Sequence, residues 1–381
     1  MRIETKLLIQ AIQKTTAKLV DKRSPDDALQ CVLLKFKDGT LTCAATNLDS
    51  YIQHTTPVTN TEDEDTTALV NSSAFTALIA GLSEKSIELE FKNDKCYVRA
   101  EKKKFSFPTI EASRFPTYYQ EWKKIRSITT EFDVTLGALR ELMRRVGFLT
   151  SGKNGVLAAT ITLEPMAEIL RGFVTNGAEI IVTDHPYTPI SGCGTQQEMS
   201  FRKETLLAVI PLLAEVGDDD ALVHVSTDKQ LVEFSLNALT ITVRTIAMKL
   251  PNYQVLLDRE LPLTMTFPVE PLCGAMKRLT SLFDTYRDTC CIHIVCTADK
   301  LTLTAIKASY GEGEEEVVLP NESYPAPQWT VDINGNYLTR GLSEFKLPYV
   351  QVCMDDSYTM LKFAPLEQGP LWIYICAPLR E

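Results

Sequence analysis

One stretch of the chain nearly matches a phosphate-binding motif. Residues 147–154 read GFLTSGKN, a glycine, four residues and then Gly-Lys. A P-loop needs a Ser or Thr next, to bind Mg²⁺, and a strand before the loop and a helix after it, so that helix N–H groups point at phosphate. Here Asn154 takes the hydroxyl position, a run of helical periodicity precedes the loop, and a β-branched run follows it. We interpret the stretch as a basic helix-to-strand loop.

The other residues that could carry chemistry do not form a recognisable site. Four histidines stand apart: His54, His185, His224 and His293. Cys290, Cys291 and Cys296 lie in a strand-like run, where alternation sends neighbours to opposite faces. The acidic runs 62–65 and 217–220 lie between periodic segments, without a histidine or a spaced carboxylate. We therefore expect a non-catalytic protein with no metal and no cofactor.

Composition indicates a globular chain. It has 381 residues, 45% of them hydrophobic and 23% charged, which predicts two or three domains. No apolar run approaches the roughly 18 residues of a membrane span, the N-terminus lacks a secretory pattern, and the ten cysteines have no paired spacing. These features predict a cytoplasmic protein. The net charge of −10 argues against nucleic-acid binding, unless the basic residues gather on one surface.

Two sets of amphipathic helical runs recur with a period of about 130 residues. The runs begin at Lys6, Thr135 and Val269 in the first set and at Ser72, Lys203 and Asn334 in the second. After each second run come two alternating strands with a turn between them, and then a last strand. We predict an α+β fold of three repeated domains, at residues 1–125, 126–256 and 257–381.

Basic residues concentrate on the helical runs and their flanking loops. Acidic residues concentrate elsewhere, at 62–65, 217–220 and 311–316. Helices that each present a basic edge, repeated around an assembly, could line a positive surface inside an acidic body.

Five motifs occur in order along the chain. They are DGTLTCAATNLDSYI (38–52), FSFPTIEASRFP (105–116), FVTNGAEI (173–180), LPNYQVLL (250–257) and YICAPLRE (374–381). Together with the repeat, they make the whole chain resemble the bacterial DNA sliding clamp, the β subunit of DNA polymerase III, as a divergent member. The resemblance implies a head-to-tail ring of two copies, with helices inside and sheets outside. Such a ring tethers a polymerase to duplex DNA and is opened by an ATP-driven loader.

The basic helix edges and the resemblance together suggest a set of DNA contacts. Arg23 matches a DNA-contacting arginine of the family, and Lys153 falls in a loop that approaches DNA. Ser73, Ala74 and Ala80 stand where the family often has basic residues, so the first domain is expected to hold DNA less firmly. The candidates are Lys14, Lys18, Arg23, Arg140, Arg144, Arg145, Lys153, Arg202, Lys203, Lys277 and Arg278.

A ring also needs a closing joint. The basic, aromatic run 101–107 and the acidic run 311–316 have opposite charge, as a head-to-tail contact between different patches requires. The predicted joint comprises Lys102, Lys103, Lys104, Phe105, Phe107, Leu282, Phe283, Glu314, Glu315 and Glu316.

The resemblance further implies one pocket per protomer for short partner peptides with Leu and Phe anchors, from the polymerase, the loader and other proteins. Mapped onto this chain, the pocket comprises Thr175, Gly177, Ala178, Ile180, Pro251, Val255, Leu256, Tyr337, Met360, Ile375, Ala377, Pro378, Leu379 and Arg380. Ala178 and Glu179 replace the family's usual His-Arg, and Val255 replaces a basic residue. The pocket rim is therefore expected to differ. The alternative function is an interaction scaffold with the clamp fold that no longer encircles DNA.

Overall fold

The computed structural model describes residues 1–20, 22–59, 65–149, 159–194, 197–284, 287–320, 329–355, 359–367, 369 and 371–379. Lys153 and Arg380 lie outside the described residues. Two compact units are present. The first comprises residues 1–140, 165–168 and 187–246, and the second comprises 141–164, 169–186 and 247–381. The three predicted domains follow the sequence repeat and not these two units, so the boundaries of the domains remain a prediction.

The described α-helices are α1 (Thr5–Thr16), α2 (Ser72–Ala80), α3 (Tyr118–Ile125), α4 (Leu136–Gly147), α5 (Lys203–Val209), α6 (Gln254–Leu257), α7 (Val269–Thr280) and α8 (Gly335–Ser343). Short 3₁₀ helices lie at Asp27–Gln30, Ala112–Arg114 and Ile210–Glu215. Among the described residues, no helix is long and apolar enough to cross a membrane.

The first strands in chain order are β1 (Arg2–Glu4), β2 (Cys31–Lys37), β3 (Thr40–Thr46), β4 (Ser50–Pro57), β5 (Thr66–Asn71), β6 (Ser86–Lys92), β7 (Lys95–Ala100), β8 (Lys103–Ile110), β9 (Thr130–Thr135), β10 (Thr160–Pro165), β11 (Ile169–Thr175), β12 (Glu179–Pro186) and β13 (Thr188–Ser191). The later strands are β14 (Met199–Arg202), β15 (Leu222–Thr227), β16 (Leu231–Leu236), β17 (Leu239–Arg244), β18 (Leu263–Pro268), β19 (Cys291–Cys296), β20 (Lys300–Ala305), β21 (Glu314–Val318), β22 (Trp329–Asn334), β23 (Tyr349–Met354), β24 (Leu361–Pro365) and β25 (Trp372–Cys376).

A strand followed directly by a helix occurs six times in the described part of the chain. The helices of these pairs begin at residues 5, 72, 136, 203, 269 and 335, so neighbouring starts lie 64 to 67 residues apart. Asn71 and Asn334, each the last residue of its strand, cap the following helix by accepting backbone N–H bonds. Both predicted sets of helices are confirmed, and each copy is a doubled strand–helix unit.

The sheets are antiparallel. In the first unit, thirteen strands follow the order β1-β6-β7-β8-β5-β2-β3-β4-β17-β16-β15-β9-β13. In the second unit, one sheet contains the order β10-β11-β12-β25-β24-β23-β18, and another has the order β21-β20-β19-β22. The predicted strand pairs are hairpins, β6–β7, β15–β16 and β23–β24.

Each amphipathic helix buries one stripe. On α1 the fully buried side chains include Leu8, Ala11, Ile12 and Thr15, the i, i+3, i+4, i+7 spacing of a core-facing helix. This stripe joins the core of the first unit, which includes Phe36 and Phe75.

The stretch GFLTSGKN falls largely outside the described residues, so its interpretation as a helix-to-strand loop stays a prediction. Helix α4 ends at Gly147 and β10 begins at Thr160, while residues 150–158 lie outside the described part. The cysteines are free thiols, and seven of the ten are buried, which agrees with their interpretation as small apolar residues.

Candidate functional site

Several predicted pocket residues meet on one face of a sheet in the second unit. Strands β11, β12, β25 and β24 are neighbours, and they place Thr175, Ile180, Ile375 and Lys362 in register. Residues in register on antiparallel strands point to the same side. These four residues therefore form a row on one face of the sheet.

An apolar cluster covers this face. Its buried members are Phe173, Val182, Tyr253, Leu257, Met360, Ile373 and Ile375, with Ile180, Leu250, Leu256, Leu261 and Leu371 partly buried against them. The structure thus brings together four predicted pocket residues: Ile180, Leu256, Met360 and Ile375. We call this set the apolar cluster.

Two aromatic members of the apolar cluster were missed by the sequence analysis. The rings of Phe173 and Tyr253 stack with centroids 4.2 Å apart. The Tyr253 hydroxyl donates to Glu164 Oε2 at 2.7 Å, and burial raises the pKa of this hydroxyl. Both aromatics lie inside the motifs at 173–180 and 250–257, and this location could have identified them as site residues.

Part of the apolar surface remains accessible beside the cluster. Val255 on α6 is 60% exposed, Pro251 is exposed, and Leu256 is half-buried. An accessible apolar surface next to a packed floor is what a short peptide with apolar anchors requires.

A tight turn joins β11 to β12 at the edge of this surface. Gly177 has φ +89°, a conformation that favours glycine. The Asn176 side-chain oxygen accepts from the N–H groups of Ala178 (3.0 Å) and Glu179 (2.8 Å), and the Thr175 hydroxyl donates to the Glu179 carbonyl at 2.7 Å. These bonds fix the turn that carries four of the predicted pocket residues.

Glu179 points into the protein and not towards solvent. Its carboxylate is fully buried and accepts from the Tyr374 hydroxyl at 2.8 Å and the Asn176 side chain at 2.7 Å. It also forms an ion pair with Arg340. The Arg340 guanidinium lies 5.3 Å from the centre of the Tyr337 ring, a cation–π contact. At position 179, where the family usually has an arginine, this chain therefore has a buried glutamate, and Arg340 neutralises its charge.

The remaining predicted pocket residues lie with the C-terminal segment and α8. The Ala377 N–H donates to the Ala178 carbonyl and the Leu379 N–H to the Asp332 carbonyl, both at 2.8 Å. Ala377, Pro378 and Leu379 are half-buried.

Tyr337, in the first turn of α8, is half-buried, and its carbonyl accepts from the Tyr374 hydroxyl at 2.9 Å. Helix α8 packs through Gly341 on the Tyr374 ring, which points away from the Ile375 side of the sheet. The predicted pocket set therefore falls into two groups, and the segment 376–379 connects them.

The basic candidates for DNA contact differ in how they are paired. Arg144 and Arg145 both form ion pairs with Glu141, at 2.7 and 2.8 Å, and both guanidinium groups lie against the Trp372 ring. Hydrogen bonds from Arg144, and then Arg145, lower the pKa of Glu141 to about 2. These two arginines are thus tied to their own unit.

Three further candidates form ion pairs: Arg140 with Asp219, Arg202 with Asp49, and Arg278 with Glu315. Lys203 is buried and Arg23 is exposed. Lys14 is half-buried, while Lys18 and Lys277 are exposed, and none of the three forms an ion pair with another described residue. No described carboxylate therefore neutralises the charge of these three lysines.

The predicted joint contains two strand edges. Strand β8 pairs along its length with β7, but with β5 only at Thr109 and Ile110, so its second edge is unpaired over residues 103–108 among the described strands. Strand β21 lies at the edge of its sheet, where β20 is its one partner among the described strands. Val318 on β21 is 76% exposed. Each strand therefore offers free backbone groups to another chain.

The charged residues of the joint are partly paired within the chain. Lys103 forms an ion pair with Glu84 at 2.8 Å, and Glu316 forms one with Lys300. Lys102, Lys104 and Glu314 are exposed and form no ion pair with another described residue.

Among the apolar residues of the joint, Phe107 is half-buried and its ring meets Phe75 edge-on at 5.3 Å. Phe105 is also half-buried and packs on the first unit's core. Leu282 is half-buried, whereas Phe283 is buried in its own unit.

Comparisons with known proteins show which chains this one is similar to. Residues 1–119 match the family model of the DNA polymerase III beta subunit, N-terminal domain. The chain is 22% identical to the beta sliding clamp of Proteus mirabilis, with 99% of each chain covered. It is 20% identical to that of Escherichia coli strain K12, again with 99% of each covered.

Solved structures give the same result for the fold. The DNA polymerase sliding clamp from Pseudomonas aeruginosa, solved with a ligand, superposes with a TM-score of 0.87 at 19% identity, covering 100% of this chain and 99% of that one. The sliding clamp from Caulobacter crescentus gives a TM-score of 0.83 at 18% identity, with the same coverage. The predicted resemblance and fold class are confirmed.

Proposed function

We propose that this chain is a DNA sliding clamp, because residues 1–119 match the family model of the DNA polymerase III beta subunit, N-terminal domain, and because the chain is similar in fold to solved sliding clamps. In this role two copies form a ring around duplex DNA in the cytoplasm, without catalysis, and tether a polymerase and other partners. The sixfold strand–helix repeat carries the proposal, since a closed ring of like units needs such repetition.

Topology provides the test of this function. A ring loaded by an ATP-driven loader onto nicked circular DNA should stay bound in gel filtration and should dissociate after the circle is cut once. A clamp-fold scaffold that does not encircle DNA would show the same retention on the circular DNA and on the cut DNA, and that outcome would refute the proposal.

The ring joint is proposed to pair the free edge of β8 with the free edge of β21 in a second copy. Backbone hydrogen bonds would join the strands, and Lys102 and Lys104 would face Glu314 and its neighbours. Reversing both lysines, K102E with K104E, should yield monomers in analytical ultracentrifugation. K92E with K95E, in the adjacent hairpin, is the control and should leave the dimer intact.

Charge reversal on the other side of the joint should restore the dimer. Adding E314K and E316K to the K102E/K104E chain gives two reversed patches of opposite sign. If K102E/K104E remains a dimer, or if the variant with all four substitutions remains a monomer, the proposed electrostatic contact across this joint is wrong.

Contact with DNA is proposed to be weak and directed at phosphate, through Lys14, Lys18 and Lys277, which form no ion pair with another described residue. A clamp must slide, so it cannot depend on base contacts. Lys277 and Arg278 are consecutive on α7 and both exposed, but of the two only Arg278 forms an ion pair within the described part of the chain, with Glu315. K277Q should reduce the slope of log affinity against log salt by about 0.9 for each phosphate that is no longer neutralised. R278Q is the matched control and should change the slope less.

The accessible surface beside the apolar cluster is proposed to bind partner peptides. Pro251, Val255 and Leu256 border it, and the Gly177 turn lies at its edge. Substituting Tyr337 and Leu379 together by Ala should abolish binding of a polymerase C-terminal peptide, measured by fluorescence polarisation. Unchanged affinity would remove these two residues from the site.

A further inference from the structure

Lys362 lies on the same sheet face as the apolar cluster, although the predicted pocket did not include it. It stands in register with Ile375, which is itself in register with Ile180. Its ammonium group donates to the carbonyl of Leu257, a member of the apolar cluster, at 2.9 Å. The side chain is half-buried, so a cation is held against an apolar floor.

No carboxylate of the described residues forms an ion pair with Lys362. Asp355 pairs with Arg259, Asp184 with Arg171 at 2.7 Å, and Asp258 accepts from Gln254 at 2.7 Å. An ammonium group has three N–H donors, and one is used on the Leu257 carbonyl.

Between Thr175 and Thr264, the described residues in the same row as Lys362 are uncharged. Besides Thr175, Ile180 and Ile375, the register extends it to Cys353 and then Thr264. A partly desolvated cation with spare donors, surrounded by apolar and neutral groups, attracts a carboxylate more strongly than a solvated lysine does.

We propose that Lys362 is a specificity-determining residue, which recognises an acidic side chain of the peptide bound at the apolar cluster. This inference rests on the proposed peptide-binding function. The peptide should then carry Leu and Phe anchors together with an Asp or Glu placed to reach the Lys362 ammonium. The apolar anchors supply contact with the floor, and the acidic residue fixes the orientation of the peptide.

The experiment uses fluorescein-labelled hexapeptides that contain Leu and Phe, with a single Glu moved through each remaining position and a Gln counterpart for each. Affinities are measured by fluorescence polarisation on the full-length chain. At one position, the Glu peptide should bind the unaltered protein about tenfold more tightly than its Gln counterpart. K362Q should remove this preference, while K362R should retain it.

Two controls make the result specific. K346Q removes an exposed lysine of the second unit and should leave the preference intact. K362E should reverse the preference, so that a peptide with Lys at the sensitive position binds more tightly than the Glu peptide.

The outcomes separate this inference from the function on which it rests. If the Gln peptides bind but no position prefers Glu, or if K362Q keeps the preference, the role of Lys362 is refuted while peptide binding stands. If no hexapeptide binds the unaltered protein, both are refuted.

Discussion

Replacing the buried Glu179 by Gln is expected to destabilise the second unit by about 3 kcal/mol. The Gln side chain keeps one oxygen, which can still accept from Tyr374, but its amide group then faces two donors, Asn176 and Arg340. Breaking a buried ion pair by removing one partner costs about 3–5 kcal/mol. The lower end applies here, because the Arg340 side chain is 22% exposed and retains some contact with water.

A double-mutant cycle isolates this interaction. The variants are E179Q, R340Q and the double variant, each unfolded in urea and followed by tryptophan fluorescence, with Trp329 and Trp372 reporting on the second unit. We expect a coupling energy of about 2 kcal/mol, since residues in one hydrogen-bonded network typically couple by 0.5–3 kcal/mol. The control pair, Arg99 with Glu90, is 2.7 Å apart but about half exposed, and it should couple by less than 1 kcal/mol.

A coupling no larger than that of the control pair would refute this reasoning. It would mean that losing the ion pair between Glu179 and Arg340 costs little free energy, although Glu179 is buried. The Asn176 side chain accepts the backbone N–H bonds of the Gly177 turn and also donates to the Glu179 carboxylate. Because E179Q removes that acceptor, it should also weaken binding of the Leu- and Phe-containing peptides. If E179Q lowers stability but leaves peptide affinity unchanged, the contacts of the Glu179 carboxylate stabilise the second unit without supporting the peptide-binding surface.

Three further predictions concern stability. G341A should cost about 3 kcal/mol in urea unfolding, because the new Cβ would lie 2.2 Å from the Tyr374 ring, and N334A should cost about 1 kcal/mol, because it removes the cap of α8. Burial lowers the pKa of both His54 and His185 to about 4, from 6.5. As pH falls, these histidines therefore take up protons in the unfolded chain before they do so in the folded protein. The free energy of unfolding should fall as pH drops from 6.5 to 4. Replacing both histidines by Gln should make the free energy of unfolding less dependent on pH in this range.

Local periodicity was sufficient to predict most of the helices. The run from Lys6 predicted α1, and the run from Val269 predicted α7, because each contains a continuous apolar stripe of several turns. Helix α3 was missed. It covers only Tyr118–Ile125, and its two buried side chains are Tyr119 and Trp122. Two buried residues are too few to establish a period.

The position of Glu179 could not be predicted from the sequence. A glutamate after a turn usually faces solvent, and this one is buried because Arg340, 161 residues later, reaches its carboxylate. Lys362 was missed for a related reason. Its place beside the apolar cluster follows from the register of β24 on β25, which no local pattern specifies.

Sequence analysis selected the basic candidates by residue type, whereas their capacity to bind phosphate depends on their partners. Lys277 and Arg278 are equivalent in the sequence, but Glu315, which the sequence assigned to the ring joint, neutralises Arg278 within the chain. The predicted DNA surface and the predicted joint therefore share an ion pair, and the number of basic residues overstates the charge available to DNA. This supports the weak hold that a sliding ring needs, because each phosphate contact that is not made leaves the ring freer to move.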